Sequence, residues 1–363
     1  MDILEKARIL SSAGTYDSCG PKACAVEIKS GLGGIYHAKA EHATCRLFKT
    51  LMDNRCSFDC AYCANASGCK KKPVSYEPEE LASLFSYLHT NLNVNGLFLS
   101  SGIAGDPDAA TERMLDAVKI IRNTHHFGGY IHFKILPGTS YDLIKQASEL
   151  ATRMSINIEA PNSQTLSELS SCKDLRTDIL RRQAWILRLN LRAGQTTQLI
   201  LTSRSTDKAI LRMMEWEYRS FHLRRMYFSA FRPVPGTPLE HDPPESLFRQ
   251  NRLYNVDFLM RDYGYKPKEF DTIMDDGMLP IADPKVALAR AALDSPVDIN
   301  EAPYEELIRV PGIGPSTARA IITERTSRRI TSFERLHRLG AWLNRAQPFI
   351  TVDGKRQALL AEF

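Results

Sequence analysis

Between Thr44 and Phe231 the chain alternates short apolar runs with longer amphipathic ones, and this alternation narrows the fold more than any other feature. The apolar runs are Thr44–Met52, Gly96–Ser101, Tyr130–Leu136, Ser155–Ala160, Thr197–Thr202 and Arg225–Phe231. Their middles are rich in Ile, Leu, Val and Phe, which predicts strands. Helices are predicted between them at Pro78–Thr90, Asp108–His125, Ser140–Leu150, Asp178–Arg192 and Thr206–Phe221. Pro78 with Glu79 and Glu80 supplies helix-start chemistry. Six strands, each followed by a helix, predict a parallel sheet with right-handed crossovers. The expected fold class is α/β, a curved or partly closed barrel of six strand–helix units. In such barrels chemistry sits at the C-terminal ends of the strands.

The chain has 363 residues, too many for one ordinary core. The expected division is a loop-rich extension over residues 1–42, a barrel over 43–240, a helical region over 241–295 and a last unit over 296–363. Gly31, Gly33 and Gly34 mark the extension, and an amphipathic run through Leu247, Leu253, Phe258 and Leu259 marks the helical region. A hydrophobic share of 43% argues against wholesale disorder. The net charge of +5 does not by itself imply nucleic acid. From Lys173 to Arg232, however, 13 basic residues face 5 acidic ones, a local charge of +8. That stretch suits an anionic substrate or a solvated helix face. No run approaches the ~20 apolar residues of a membrane span. The start, Met1-Asp2-Ile3-Leu4-Glu5-Lys6, is charged where a signal peptide needs an apolar run. A cytoplasmic location with no membrane partner is expected. In a reducing compartment eight cysteines point to metal or redox chemistry rather than disulfides.

The first strand runs into Leu51-Met52-Asp53-Asn54-Arg55-Cys56-Ser57-Phe58-Asp59-Cys60-Ala61-Tyr62-Cys63. Its three cysteines stand four and then three residues apart, in a loop at the catalytic end of the predicted barrel. Three thiolates in a short loop can wrap one cubane cluster and leave one iron without a protein ligand. An open coordination position marks a reactive metal site. Zinc is the rival reading, with Cys69 as a fourth ligand and His42 nearby, although structural zinc usually takes two separated pairs. Cys19, Cys24 and Cys45 precede the triplet. They can bind a second cluster, act as a sulfur or hydrogen-atom relay, or be buried free thiols. Cys172 reads as a structural thiol.

The triplet, the aromatic Tyr62 before its last cysteine, the strand ahead and the α/β alternation behind resemble the radical S-adenosylmethionine (SAM) superfamily. The resemblance implies that Cys56, Cys60 and Cys63 are catalytic and ligate a [4Fe–4S] cluster. S-adenosylmethionine would chelate the open iron through its amino and carboxylate groups. An electron from the cluster would break the sulfonium bond and give a 5′-deoxyadenosyl radical that takes a hydrogen atom from the substrate. Cofactor contacts are implied for Tyr62, and for Ser101 and Gly102, which close the run Phe98-Leu99-Ser100-Ser101-Gly102. The superfamily often places two glycines and an acid there; here serines replace part of that motif, and small residues also serve wherever a strand turns. Asn157 and Glu159 share one face of the fourth strand, because strand side chains alternate. Polar groups pointing into a barrel are costly unless satisfied. They can bind the ribose or the methionine carboxylate, or lie on a solvated strand edge. Gln198 on the fifth strand is a candidate of the same kind.

The second strong signal is Val310-Pro311-Gly312-Ile313-Gly314-Pro315, set between two short predicted helices. Glycines allow a tight turn and close approach to a ligand, and N–H groups at the next helix start suit a phosphate. The segment resembles a helix–hairpin–helix module, which grips the DNA backbone without reading sequence. Gly312, Gly314 and Arg319 are the candidate phosphate contacts, with Arg325, Arg328 and Arg329 as additions. A second hairpin at Leu339-Gly340-Ala341-Trp342 lacks its second glycine. From Asp298 to Phe363 there are 10 basic and 8 acidic residues, so the unit is not a strong electrostatic trap.

Together the signals resemble the DNA modification or repair subfamily of radical SAM proteins, which joins a cluster-binding barrel to a C-terminal all-α helix–hairpin–helix. The likeness covers nearly the whole chain, including Gly96–Gly102, Gly194–Ile200 and the Arg252-Leu253-Tyr254 helix. It implies an enzyme that modifies or repairs a nucleotide in DNA. It also implies an electron donor such as a flavodoxin or ferredoxin, and a uracil-DNA-glycosylase-like partner. Two alternatives stand beside it. One is RNA (tRNA) modification, such as methylthiolation with an auxiliary cluster. The other is a non-catalytic iron–sulfur protein that senses redox state and binds nucleic acid.

Overall fold

In the computed structural model, which describes residues 1–14, 25–26, 34–40 and 43–355, one sheet carries eight strands in sequence order. They are β1 (Ala25–Val26), β2 (Ile35–Ala40), β3 (Ala43–Leu51), β4 (Gly96–Ser100), β5 (Tyr130–Lys134), β6 (Arg153–Ser155), β7 (Gln195–Leu201) and β8 (Arg225–Ala230). Every neighbouring pair from β3 to β8 is parallel. β1 and β2 extend the β3 edge in antiparallel register. The curled sheet with its helical crossovers is the expected partial barrel. β4 and β7 are buried along their whole length, the pattern of strands covered on both faces.

Five of the six predicted strands match within two residues at each end. The fourth does not. Ser155–Ala160 is expected, yet β6 is Arg153–Ser155 and the chain then leaves the ladder. The hydroxyl of Thr197 on β7 donates to the Ile156 carbonyl at 2.7 Å and accepts the Ile158 N–H at 2.9 Å. A side chain thereby replaces ladder bonds, and Glu159 takes a left-handed φ of 63°. The predicted helices are present as Pro78–Leu92, Pro107–Lys119, Tyr141–Leu150, Arg181–Arg188 and Asp207–Phe221. Two of them adjoin π-helical turns: Ile120–Thr124 follows Pro107–Lys119, and Leu175–Leu180 precedes Arg181–Arg188. A short helix at Ser163–Leu169 is absent from the sequence expectation; the Asn162 side chain caps it by accepting the Thr165 N–H.

The expected loop character of residues 1–42 needs correction at two places. Ile3–Ala13 is a helix that buries Ala7 and Leu10, and Ile35–Ala40 is a strand. Glycines later in the segment hide the helical spacing of Ala7 and Leu10.

The chain divides into two compact units, Met1–Ser205 with Trp216–Gln250, and Thr206–Glu215 with Asn251–Phe363. The second holds helices Tyr304–Leu307, Pro315–Ser327, Phe333–Arg338 and Leu343–Ala346. They enclose a core that includes Ile299, Leu307, Val310, Ile321, Leu336 and Ile350. Among its described residues the named strands are a two-residue parallel pair, Val297–Asp298 with Ile350–Thr351. Among the described residues no helix is long and apolar enough to cross a membrane.

Candidate active site

Beyond β3 the cysteine loop is fastened on both sides. On the β4 side, Gly102 N–H donates to the Asp53 carbonyl and Ser57 N–H to that of Ile103, each at 2.7 Å. On the other side, Ala61 N–H donates to the Leu169 carbonyl at 2.8 Å. The Asp59 carboxylate accepts from the hydroxyls of Ser170 and Ser171 and from the N–H groups of Ser171 and Cys172. Partial burial opposes its charge, but these donors prevail and hold the carboxyl well below the usual carboxylate range. Gly102 has a steric duty here. A Cβ would overlap the Arg55 carbonyl oxygen and stand 2.9 Å from the Arg55 carbonyl carbon.

A cavity of about 440 Å³ opens at the C-terminal ends of the strands. Cys56, Cys60, Tyr62 and Cys63 line it from the loop, and Ser101 and Gly102 from beyond β4. Asn157 and Glu159 follow β6, and Gln198 reaches in from β7. All nine residues singled out in the sequence around the barrel mouth therefore share one cavity. For Asn157 and Glu159 the reason differs from the expected strand alternation, since both lie in the irregular stretch after β6.

The cavity also contains residues that sequence reasoning missed. Lys173, with its side chain 7% exposed, donates to Glu159 Oε1 at 3.1 Å. Burial works against its charge, but the neighbouring Cys60 and Glu159 outweigh this and hold its pKa above the usual lysine value. Lys134 on β5 donates to Asn157 Oδ1. Arg232 adds a third cation to the lining. The only sequence signal for Lys173 is its place at the start of the basic stretch. Burial, then the Glu159 charge and the nearby cysteines, raise the Tyr62 phenol well above its ordinary pKa.

Burial and the adjacent Cys60 push the Cys63 thiol up to about 12. It stays protonated at neutral pH until positive charge arrives, so metal capture releases a proton. In metal-free protein at pH 8, iodoacetamide is expected to modify exposed Cys172 well before Cys63, as read by peptide mass spectrometry. Equal rates would show that the Cys63 thiol is not shielded.

Among the described residues no three His, Cys, Asp or Glu side chains are grouped to hold one metal ion. Cys56, Cys60 and Cys63 all line the one cavity, from a single short loop of the kind that can wrap a polynuclear cluster. Cys69 does not line this cavity; its thiol lies 3.6 Å from the Cys63 carbonyl oxygen and 3.5 Å from that of Gly236. Cys45 lies six residues before the end of β3, about 20 Å along the strand, and takes no part in the lining. Cys172, read as a structural thiol, is exposed. Cys19, Cys24 and His42 fall outside the described residues.

In the second unit the two hairpins pack backbone to backbone. Trp342 N–H donates to the Gly312 carbonyl at 2.9 Å. Gly312 has φ 84°, and a Cβ there would overlap the Trp342 carbonyl oxygen. Gly314 caps the helix Pro315–Ser327. Gly312 and Gly314 border a cavity of about 370 Å³. Arg319 is exposed and does not line it. Arg325 is engaged with the Ile299 carbonyl and Arg329 with Asp353.

Residues 51–216 match the radical SAM superfamily and residues 294–348 the helix–hairpin–helix motif. The chain carries a radical SAM enzyme domain. Enzymes with this domain use a [4Fe–4S] cluster and S-adenosylmethionine. The expected helix–hairpin–helix at the C-terminus is likewise present. Methylornithine synthase (PylB) has a similar fold, with TM-score 0.50 and 15% identity over 59% of this chain and 62% of that one. HydG, a maturase of the [FeFe]-hydrogenase, gives 0.47 and 13% over 58% of this chain and 48% of its own. anSMEcpe with bound AdoMet gives 0.44 and 12% over 64% and 63%. The chain thus spans about half to three-fifths of these structures, and at such identities the likeness concerns fold alone. No curated protein sequence matches the chain.

Proposed function

We propose that this enzyme generates a 5′-deoxyadenosyl radical and uses it to modify or repair a nucleotide in DNA. The observation that carries the radical part is the convergence of three cysteines with Tyr62, Ser101, Gly102, Asn157, Glu159 and Gln198 on one cavity at the strand ends. Cys56, Cys60 and Cys63 hold the cluster in this reading. When bound, the cluster and S-adenosylmethionine supply one-electron cleavage and hydrogen-atom abstraction. The protein's own residues position and shield. Lys173 offsets the negative charge that the cysteine sulfurs carry as ligands, while Glu159 fixes the lysine in place. Asn157, held by Lys134, and Gln198 offer polar atoms to the ribose or the methionine carboxylate. Ile103, Ile135, Leu136 and Ile200 add an apolar part to the lining.

The DNA part rests on the hairpin motif of the second unit, with Gly312 and Gly314 toward a phosphate. The working division is a barrel over 43–240, a helical region over 241–295 and a hairpin domain over 296–363. A cytoplasmic flavodoxin or ferredoxin serves as electron donor, and a uracil-DNA-glycosylase-like protein as partner. The test is anaerobic reconstitution with S-adenosylmethionine and dithionite. Wild type is expected to hold about four irons per chain and release 5′-deoxyadenosine; Cys60→Ala is expected to do neither. Equal 5′-deoxyadenosine from both proteins would defeat the assignment. About eight irons would instead favour RNA methylthiolation through an auxiliary cluster.

A further inference from the structure

The cavity beside Gly312 and Gly314 carries more than a grip on a backbone phosphate needs. Its volume of about 370 Å³ lies at the small end of ligand sites, the scale of one nucleotide rather than of a duplex. Two large aromatic residues on its wall are left in water: Trp342 is 60% exposed and Phe258 is 48% exposed. Tyr263 meets Phe258 edge-on, with ring centres 5.5 Å apart, and walls the same space.

Cations are interleaved with these rings. Lys285 Nζ lies 4.4 Å from the centre of the Tyr263 ring and donates to the Ile313 carbonyl at 2.6 Å, inside the hairpin itself. The Arg345 guanidinium lies 5.3 Å from the centre of the Trp342 ring and pairs with Asp283 at 2.6 Å. Lys285 and Arg345 share the lining with one acid, Asp283. Burial pushes Lys285 down to about 7, so an anion seated beside it would restore its full charge.

We propose that this cavity takes one unpaired nucleotide of a single-stranded nucleic acid. Its base stacks on Trp342 and Phe258, and its phosphate faces Lys285, Arg345 and the hairpin. A duplex hides the faces of its bases between neighbours and presents only phosphates, so it leaves both aromatics without a role. Aromatic side chains interleaved with cations bind single strands because every base has a face to stack. This assignment deepens the nucleic-acid half of the proposed function and is independent of the radical half.

The test uses the full-length, cluster-loaded protein without reductant, so no turnover is involved. Fluorescence anisotropy would compare labelled oligo(dT), oligo(U) and a duplex of equal length, with inorganic phosphate as competitor. A single strand is expected to bind at least about tenfold tighter than the duplex. Tight binding of oligo(dT) alone assigns the strand as DNA, and of oligo(U) alone as RNA. Trp342→Ala and Phe258→Ala are each expected to weaken single-strand binding roughly tenfold and leave duplex binding unchanged. Both side chains are exposed, and the hairpin contact of Trp342 is made by its backbone, so both variants should fold. Duplex binding as tight as single-strand binding, or unchanged affinity in both variants, overturns the proposal. Neither result would touch 5′-deoxyadenosine formation, so failure here is separable from failure of the radical reading.

Discussion

Lys173→Met is expected to destabilise the barrel unit by about 3–5 kcal/mol, the usual cost of stranding one partner of a buried ion pair. Lys173 and Glu159 are 7% and 9% exposed at their side chains, so water replaces the lost partner only poorly. Methionine keeps most of the lysine's length and removes only the charge. The effect would be read as a lower urea midpoint at unchanged slope. Adding Glu159→Gln removes the stranded charge and is expected to recover much of the loss. The double variant then separates stability from chemistry, because it folds but offers no cation beside Cys60. A Lys173→Met protein as stable as wild type would show that the pair is solvated.

Gly102→Ala should do its damage locally. The new methyl group meets the backbone of Arg55, one residue before the first cysteine, and a backbone cannot turn aside as a side chain can. Overpacking of this kind costs about 1–3 kcal/mol. Here the strain is relieved by displacing the cysteine loop. Iron content after reconstitution is expected to fall several-fold while far-UV circular dichroism stays unchanged. Wild-type iron content in Gly102→Ala would show that the loop tolerates the shift.

Much of the barrel is legible in the sequence because parallel strands buried on both faces are continuous apolar runs. Leu97 and Leu99 on β4 and Leu199 and Leu201 on β7 are fully buried. The cysteine triplet is equally legible, since its spacing is local. What fails is what depends on contacts between distant segments. The end of β6 is set by the Thr197 hydroxyl from another strand, which no local propensity reveals. Lys173 looks like one more solvated cation until the fold turns it inward onto Glu159. Arg319 stays exposed outside the hairpin cavity, while Lys285 and Arg345, which helical position does not single out, form part of its wall. The glycine at 312 is legible as a turn, but its close approach to Trp342 is visible only once the second hairpin is folded.

The hydrogen bonds that fasten the cysteine loop to residues 101–105 and 169–172 join groups of the protein alone. Ordering a flexible backbone costs about 1–2 kcal/mol per residue. For this loop that cost falls on folding rather than on cluster binding. The folded loop is thus a receptacle rather than a tether. Less of the cluster's binding free energy is then spent on ordering its ligands.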